Sequence, residues 1–125
     1  MKQFVGLPFV DGGRDWQGVD CWGLVCLVYR ELSQIDLPLY GEVSADDLRD
    51  VSRKIDAGKN GWQMVDRPRM MDVAVMRLPS SSRIGHVGLY DGQGRILHAE
   101  RASGVALEDM RSPMIAARLI GFWRY

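Results

Sequence analysis

The sequence predicts an α+β domain in which N-terminal helices pack on an antiparallel sheet of five or six strands. Three observations predict it. Apolar residues recur at helical spacing from Asp20 through the first half of the chain, and period-two alternation takes over in the second half. A DGQG turn at 91–94 then joins two of the alternating segments into a hairpin. No internal repeat or low-complexity tract divides the 125 residues, so residues 1–125 read as a single domain.

The elements follow in order. Gly6, Gly12, Gly13 and Gly18 mark an irregular lead-in loop. Asp20 is a good N-cap, and Leu24, Val25, Leu27, Val28 and Leu32 give the following helix a face wide enough for the middle of the domain, running to about Gln34. Ser44 and Asp47 open a second amphipathic segment with Leu48, Val51 and Ile55 inward and Gly58 as its stop, a helix over 45–57. After a loop through Gly61 and Pro68, five strands are expected: Asp72 to Leu78, Ile84 to Tyr90, Arg95 to Glu100, Val105 to Glu108 and Ala116 to Trp123.

Composition removes several function classes. Sixteen basic residues balance sixteen acidic ones, which leaves no basic footprint for nucleic acid and no polybasic membrane signal. The longest uncharged apolar run, Trp22 to Tyr29, is far too short to cross a hydrocarbon core. MKQFVGLPFV is broken by Gly6 and Pro8 and does not read as a secretory leader, so synthesis in a cytoplasm without a signal peptide is expected. Cys21 and Cys26 on one helix would have Cα atoms roughly 8.6 Å apart, beyond bridging distance, so both thiols are expected to be free.

The chemistry rests on Cys21, His86 and His98. A cysteine is most often a small buried hydrophobe, and Cys26, inside the apolar run, fits that description. Cys21 differs by position: it follows the cap residue at the positive end of the helix dipole, where a thiolate is favoured, and it is expected to be the reactive thiol. His86 and His98, the two histidines of the chain, fall on the two strands of the hairpin. If Gly92 is the centre of the turn they lie directly opposite each other, with Gly85 and Gly88 leaving room for close approach. Two Cys and two His also suggest zinc, but the two thiols point about 140° apart around a helix and the histidine spacing is not that of a zinc motif. No metal is expected from that set.

Together these residues resemble a family. GLPFVDGGRDWQGVDCWGLVCLVYREL is similar to the start of the NlpC-type cell-wall peptidases, papain-like cysteine peptidases whose nucleophile opens a helix in a D-C-x-G-L pattern. RMMDVAVM resembles their first core strand, IGHVGLYDGQGRILHA their histidine hairpin and LIGFWRY their closing strand, as seen especially in phage tail proteins. The likeness covers Gly6 to Tyr125, with residues 36–60 least diagnostic.

The resemblance implies a papain-like fold and hydrolysis of peptide stems of bacterial peptidoglycan, commonly between D-glutamate and diaminopimelate, without a cofactor. It casts Cys21 as nucleophile, His86 as general base and then acid, and His98 as the group that orients His86. The backbone N–H of Cys21, in the first helical turn, would donate to the oxyanion. It further implies phage tail-tip proteins as partners and a place in the virion tail, acting in the host envelope. Three positions depart from the family pattern: Phe9 stands for a common Tyr, Trp22 for the usual Ser after the nucleophile, and Met71 for the Gly before the strand Asp. Phe9 and Trp22 are therefore expected on the substrate cleft, while Asp20 reads both as a helix cap and as a contact for a substrate amine. The competing reading is a structural tail-tip component that keeps the shape with catalysis weak or lost; acyl transfer or deamidation by the same triad is a within-fold alternative to hydrolysis.

Overall fold

Asp20 caps helix α1 (Cys21–Ser33) as its position requires, its carboxylate accepting from the Gly23 N–H at 2.7 Å. The helix ends where Gln34 turns into the left-handed region at φ 52° and donates back to the Arg30 carbonyl. This computed structural model describes residues 1–37, 61–79 and 81–125. The helix expected over 45–57 lies outside the described residues.

Beyond the helix the chain builds β3 (Gln63–Val65), β4 (Val73–Arg77), β5 (Ile84–Tyr90), β6 (Arg95–Glu100), β7 (Gly104–Asp109) and β8 (Leu119–Arg124). They form one sheet in the order β3-β8-β4-β5-β6-β7, antiparallel throughout. The fold is α+β with an antiparallel sheet of six strands, within the five or six expected. Alternation then sorts the side chains. Val73, Val75, Val87, Leu89, Leu97, Ala99 and Val105 form one core with α1, while Ala74, Met76, Ile96 and Phe122 form a second on the other face under Ile115.

Two elements differ from expectation. The sequence Ala116 to Trp123 does not run as one strand: Ser112 and Pro113 start a short helix, Pro113–Ala116, and β8 begins only at Leu119. Strand β3 escapes the pattern because it is a three-residue edge strand with Met64 exposed, so no alternation reveals it.

The lead-in loop is more ordered than its glycines suggest. It folds a small hairpin from β1 (Arg14–Asp15) and β2 (Gly18–Val19), and it is stitched to the outer strand β7 by Gly6 N–H to the Val105 carbonyl and Val105 N–H to the Leu7 carbonyl, both 2.9 Å. On the approach to β4, Met71 occupies the left-handed region at φ 82° inside a turn closed by Asp72 N–H to the Arg69 carbonyl at 3.0 Å. A turn of that kind favours glycine there. Tyr29 of α1 clamps it, its hydroxyl donating to the Met71 carbonyl at 2.7 Å, and Asp72 accepts from Arg124 Nε and Nη2 at 2.9 and 2.7 Å. No helix among the described residues is long and apolar enough to cross a membrane.

Candidate active site

Helix α1 carries Cys21 to the middle of the sheet, where the Val87 backbone hydrogen-bonds its thiol one residue after His86 in β5. The thiol is only 1% exposed, and burial pushes it up to about 12, with the Val87 and Trp22 backbone contacts offsetting part of the rise. Burial thus works against the thiolate expected from the helix dipole, because an enclosed sulfur is stripped of the solvent that would stabilise its charge. Among the described residues no hydrogen bond joins the thiol to an imidazole. Cys26, expected deep in the core, is the more exposed of the two, beside Arg14 and Arg30. Both thiols are free.

The two histidines meet as expected, by a different register. Asp91 N–H pairs with the Arg95 carbonyl at 3.0 Å, so the turn is centred on Gln93, not Gly92, with Gly92 and Gly94 both at positive φ. Leu89 pairs with Leu97, which puts Gly88 opposite His98, so the histidines are diagonal neighbours on one face. Their rings bridge the diagonal: His86 Nε2 lies 2.9 Å from His98 Nδ1, and His98 Nε2 lies 3.0 Å from Oε1 of Glu108 on β7.

These contacts match one tautomer of each neutral ring. A carboxylate only accepts, so His98 donates to Glu108 from Nε2 and a neutral His98 offers a lone pair at Nδ1. His86 must then donate from Nε2, which leaves the Nδ1 lone pair of His86 free to take a proton. Burial lowers His86 to about 3, against the pull of Glu100. Burial thus favours the neutral form of both the His86 imidazole and the Cys21 thiol.

Residues that the sequence did not single out surround the pair. Glu100 Oε1 lies 3.6 Å from His86 Nε2 and 3.4 Å from His98 Nδ1, and it accepts from Arg118 Nη1 at 2.8 Å. Burial raises Glu100, but His98, His86 and Arg118 outweigh it and hold the carboxyl at about 2. His86, Glu100, Glu108 and Arg118 line a cavity of about 610 Å³ with Gly85 and Met114. Among the described residues, His86, His98 and Glu100 form a set with the donor atoms and proximity to hold a metal ion.

Of the three residues expected to touch substrate, two are enclosed and one is partly exposed. Asp20 is fully buried, and besides the cap its carboxylate accepts from Arg14 Nη1 at 2.7 Å and Gly12 N–H at 2.9 Å, tying the lead-in loop to the helix. Trp22, expected on the cleft wall, is instead fully buried, edge-on to Trp62 at 6.4 Å, because the second helical position faces the core. Phe9 stays partly exposed under the Arg101 guanidinium, 4.9 Å from its ring centroid.

Comparison with known proteins gives a consistent picture. The profile of the NlpC/P60 family matches residues 6–124. The murein DD-endopeptidase MepS/murein LD-carboxypeptidase of Escherichia coli K12 is 30% identical over 108 residues, 86% of this chain and 50% of that protein. The gamma-DL-glutamyl hydrolase of Bacillus subtilis 168 is 28% identical over 125 residues, 99% of this chain and 27% of its own length. The chain thus spans half or less of these two relatives. Among solved structures, an NlpC/P60 family protein from Bacillus cereus ATCC 10987 superposes with a TM-score of 0.72 at 25% identity, covering 99% of this chain and 37% of that one. The NlpC/p60 domain of the peptidoglycan hydrolase SagA superposes at 0.64 with 22% identity, covering 98% and 89%, and shares the fold.

Proposed function

The chain belongs to the NlpC/P60 family, and from that premise we propose that it is a cysteine peptidase that hydrolyses the peptide stems of bacterial peptidoglycan. The observation that carries the reading is the Glu108–His98–His86 chain, which leaves a proton-accepting Nδ1 on the strand that Cys21 abuts. Helix α1 supplies the nucleophile and β5 the base. The thiol proton passes to His86 Nδ1 as sulfur attacks the carbonyl, so the ion pair forms during the reaction and not before it. His86 then protonates the leaving amine, and water resolves the thioester with His86 again as base. The Cys21 backbone N–H, at the start of α1, donates to the oxyanion. His98 orients His86, and Glu108 orients His98; both are positioning residues.

The names of the similar proteins support a murein substrate, one a DD-endopeptidase and LD-carboxypeptidase and another a γ-glutamyl hydrolase. We assign the bond between D-glutamate and diaminopimelate, and a place in a phage tail, on the likeness of GLPFVDGG, the histidine hairpin and LIGFWRY to tail members of the family. The second reading, a structural tail component, is favoured by the enclosure of the Cys21 thiol. Digestion of purified muropeptides, read by mass spectrometry beside Cys21→Ala, tests both. Stem fragments from the native protein alone support the peptidase; no fragments from either supports the structural reading.

A further inference from the structure

We propose that His86, His98 and Glu100 form a zinc site, and that zinc bound there shuts the peptidase off. His86 Nε2, His98 Nδ1 and Glu100 Oε1 make a triangle with edges of 2.9, 3.4 and 3.6 Å. Zinc with bonds of about 2.0 Å to nitrogen and oxygen needs ligand atoms about 3.3 Å apart in a tetrahedron, which is close to the mean of these edges. Three donors thus already stand at the corners of one face, around a point where a cation would sit. The fourth corner is left for water from the cavity that His86 and Glu100 line.

Two of the surrounding hydrogen bonds are of the kind that orients zinc ligands. A ligating histidine characteristically donates its other ring N–H to a carboxylate, and His98 Nε2 does so to Glu108 at 3.0 Å. The same hydrogen bond leaves His98 Nδ1 with the lone pair the metal takes. Ligating carboxylates are themselves held by donors, and Arg118 donates to Glu100 at 2.8 Å while its Nε donates to the Arg77 carbonyl at 2.9 Å. Two imidazole nitrogens in the donor set favour zinc over calcium or magnesium, whose ligands are oxygens, and any cation here must compete with the nearby guanidinium. This set shares only its histidines with the two-Cys, two-His combination that the sequence spacing excludes.

Inhibition follows from proton placement. In the metal-free site the single proton of neutral His86 sits on Nε2 and is shared with His98. Zinc takes the Nε2 lone pair, so that proton moves to Nδ1, and Nδ1 can no longer accept from the thiol. This consequence rests on the proposed role of His86; the binding does not.

Two measurements on the whole protein separate the claims. Zinc titrated calorimetrically is expected to bind once per chain, unchanged in Cys21→Ala and weakened at least tenfold in Glu100→Gln. Long-range proton–nitrogen spectra of the native protein, which need no variant to fold, are expected to show the His86 proton moving from Nε2 to Nδ1 on adding zinc. Absence of binding, binding lost in Cys21→Ala but kept in Glu100→Gln, or unmoved imidazole resonances would each overturn the site. Binding with the expected proton shift but undiminished muropeptide cleavage overturns the inhibition and the role of His86, and leaves the site standing.

Discussion

His86 Nε2 reaches His98 Nδ1 at 2.9 Å across a diagonal, beside Gly88, whose missing side chain lets Ile96, Leu97 and His98 close in. A Cβ at position 88 would stand 3.1 Å from the His98 Cβ and 2.8 Å from both the Leu97 carbonyl oxygen and Ile96 Cγ2. Gly88→Ala should therefore cost about 1 to 3 kcal/mol of stability by overpacking. It should also lower kcat/KM by about tenfold or more through misalignment of the pair. Urea melts and muropeptide kinetics check both; a fully active variant would show that the diagonal does not matter.

The protonation states give a reactivity order opposite to that expected from helix position. With Cys21 pushed up to about 12 inside the core, and Cys26 at about 11 but partly exposed, iodoacetamide near neutral pH should label Cys26 first. Peptide mass spectrometry after short exposures reads the order. Faster labelling of Cys21 would mean that the thiolate forms before substrate arrives.

Acid stability follows from His86. Burial holds its folded pKa near 3 against an ordinary 6.5, so the unfolded chain binds more protons between these values. Its contribution is intact above pH 6.5 and is lost as pH falls toward 3. Even discounted for local relaxation, the loss by pH 5 is on the order of 1 to 2 kcal/mol, and His86→Gln should flatten that slope in denaturant melts.

In the proposed mechanism Glu108 acts through His98, which it meets at 3.0 Å. Glu108→Gln retains an oxygen that accepts from His98 Nε2, whereas Glu108→Ala leaves that ring free to change tautomer. The alanine variant should lose about tenfold or more in kcat with KM little changed, and glutamine should restore most of it. Equal losses in the two would refute a positioning role. By the same logic His98→Asn should outperform His98→Ala, while His86→Asn should be inactive because an amide cannot carry the proton.

Met71 reverses a familiar ranking. At φ 82° any side chain is strained, and the family pattern places glycine there. Met71→Gly should be about 1 kcal/mol more stable than Met71→Ala, although glycine is elsewhere the weaker residue. Thermal melts of the two variants decide it.

The sequence revealed what local chemistry determines. Asp20 followed by a helical stripe located α1 within a residue, and alternation around the DGQG turn located β5 and β6. It missed what register and burial determine. A turn centred one residue later made the histidines diagonal, and Glu108 reaches His98 from a strand whose alignment no local pattern reveals. Enclosure of Cys21 and Trp22 depends on what packs over the start of α1, a tertiary fact that the helix pattern does not carry.

The two hydrogen bonds that sew residues 6–7 onto β7 have a consequence for the protein among its own copies. β7 is the last strand on its side of the sheet, and a bare outer strand offers unpaired amides and carbonyls as a template for any extended chain. Here both bonding groups of Val105 are already occupied from outside the sheet, so the lead-in segment works as a selvage against fraying and fusion. The opposite border, β3, is only three residues long, too brief to nucleate a lasting pair. Among the described residues, then, one margin of the sheet is partly hemmed by the chain's own lead-in and the other presents little length to a second strand.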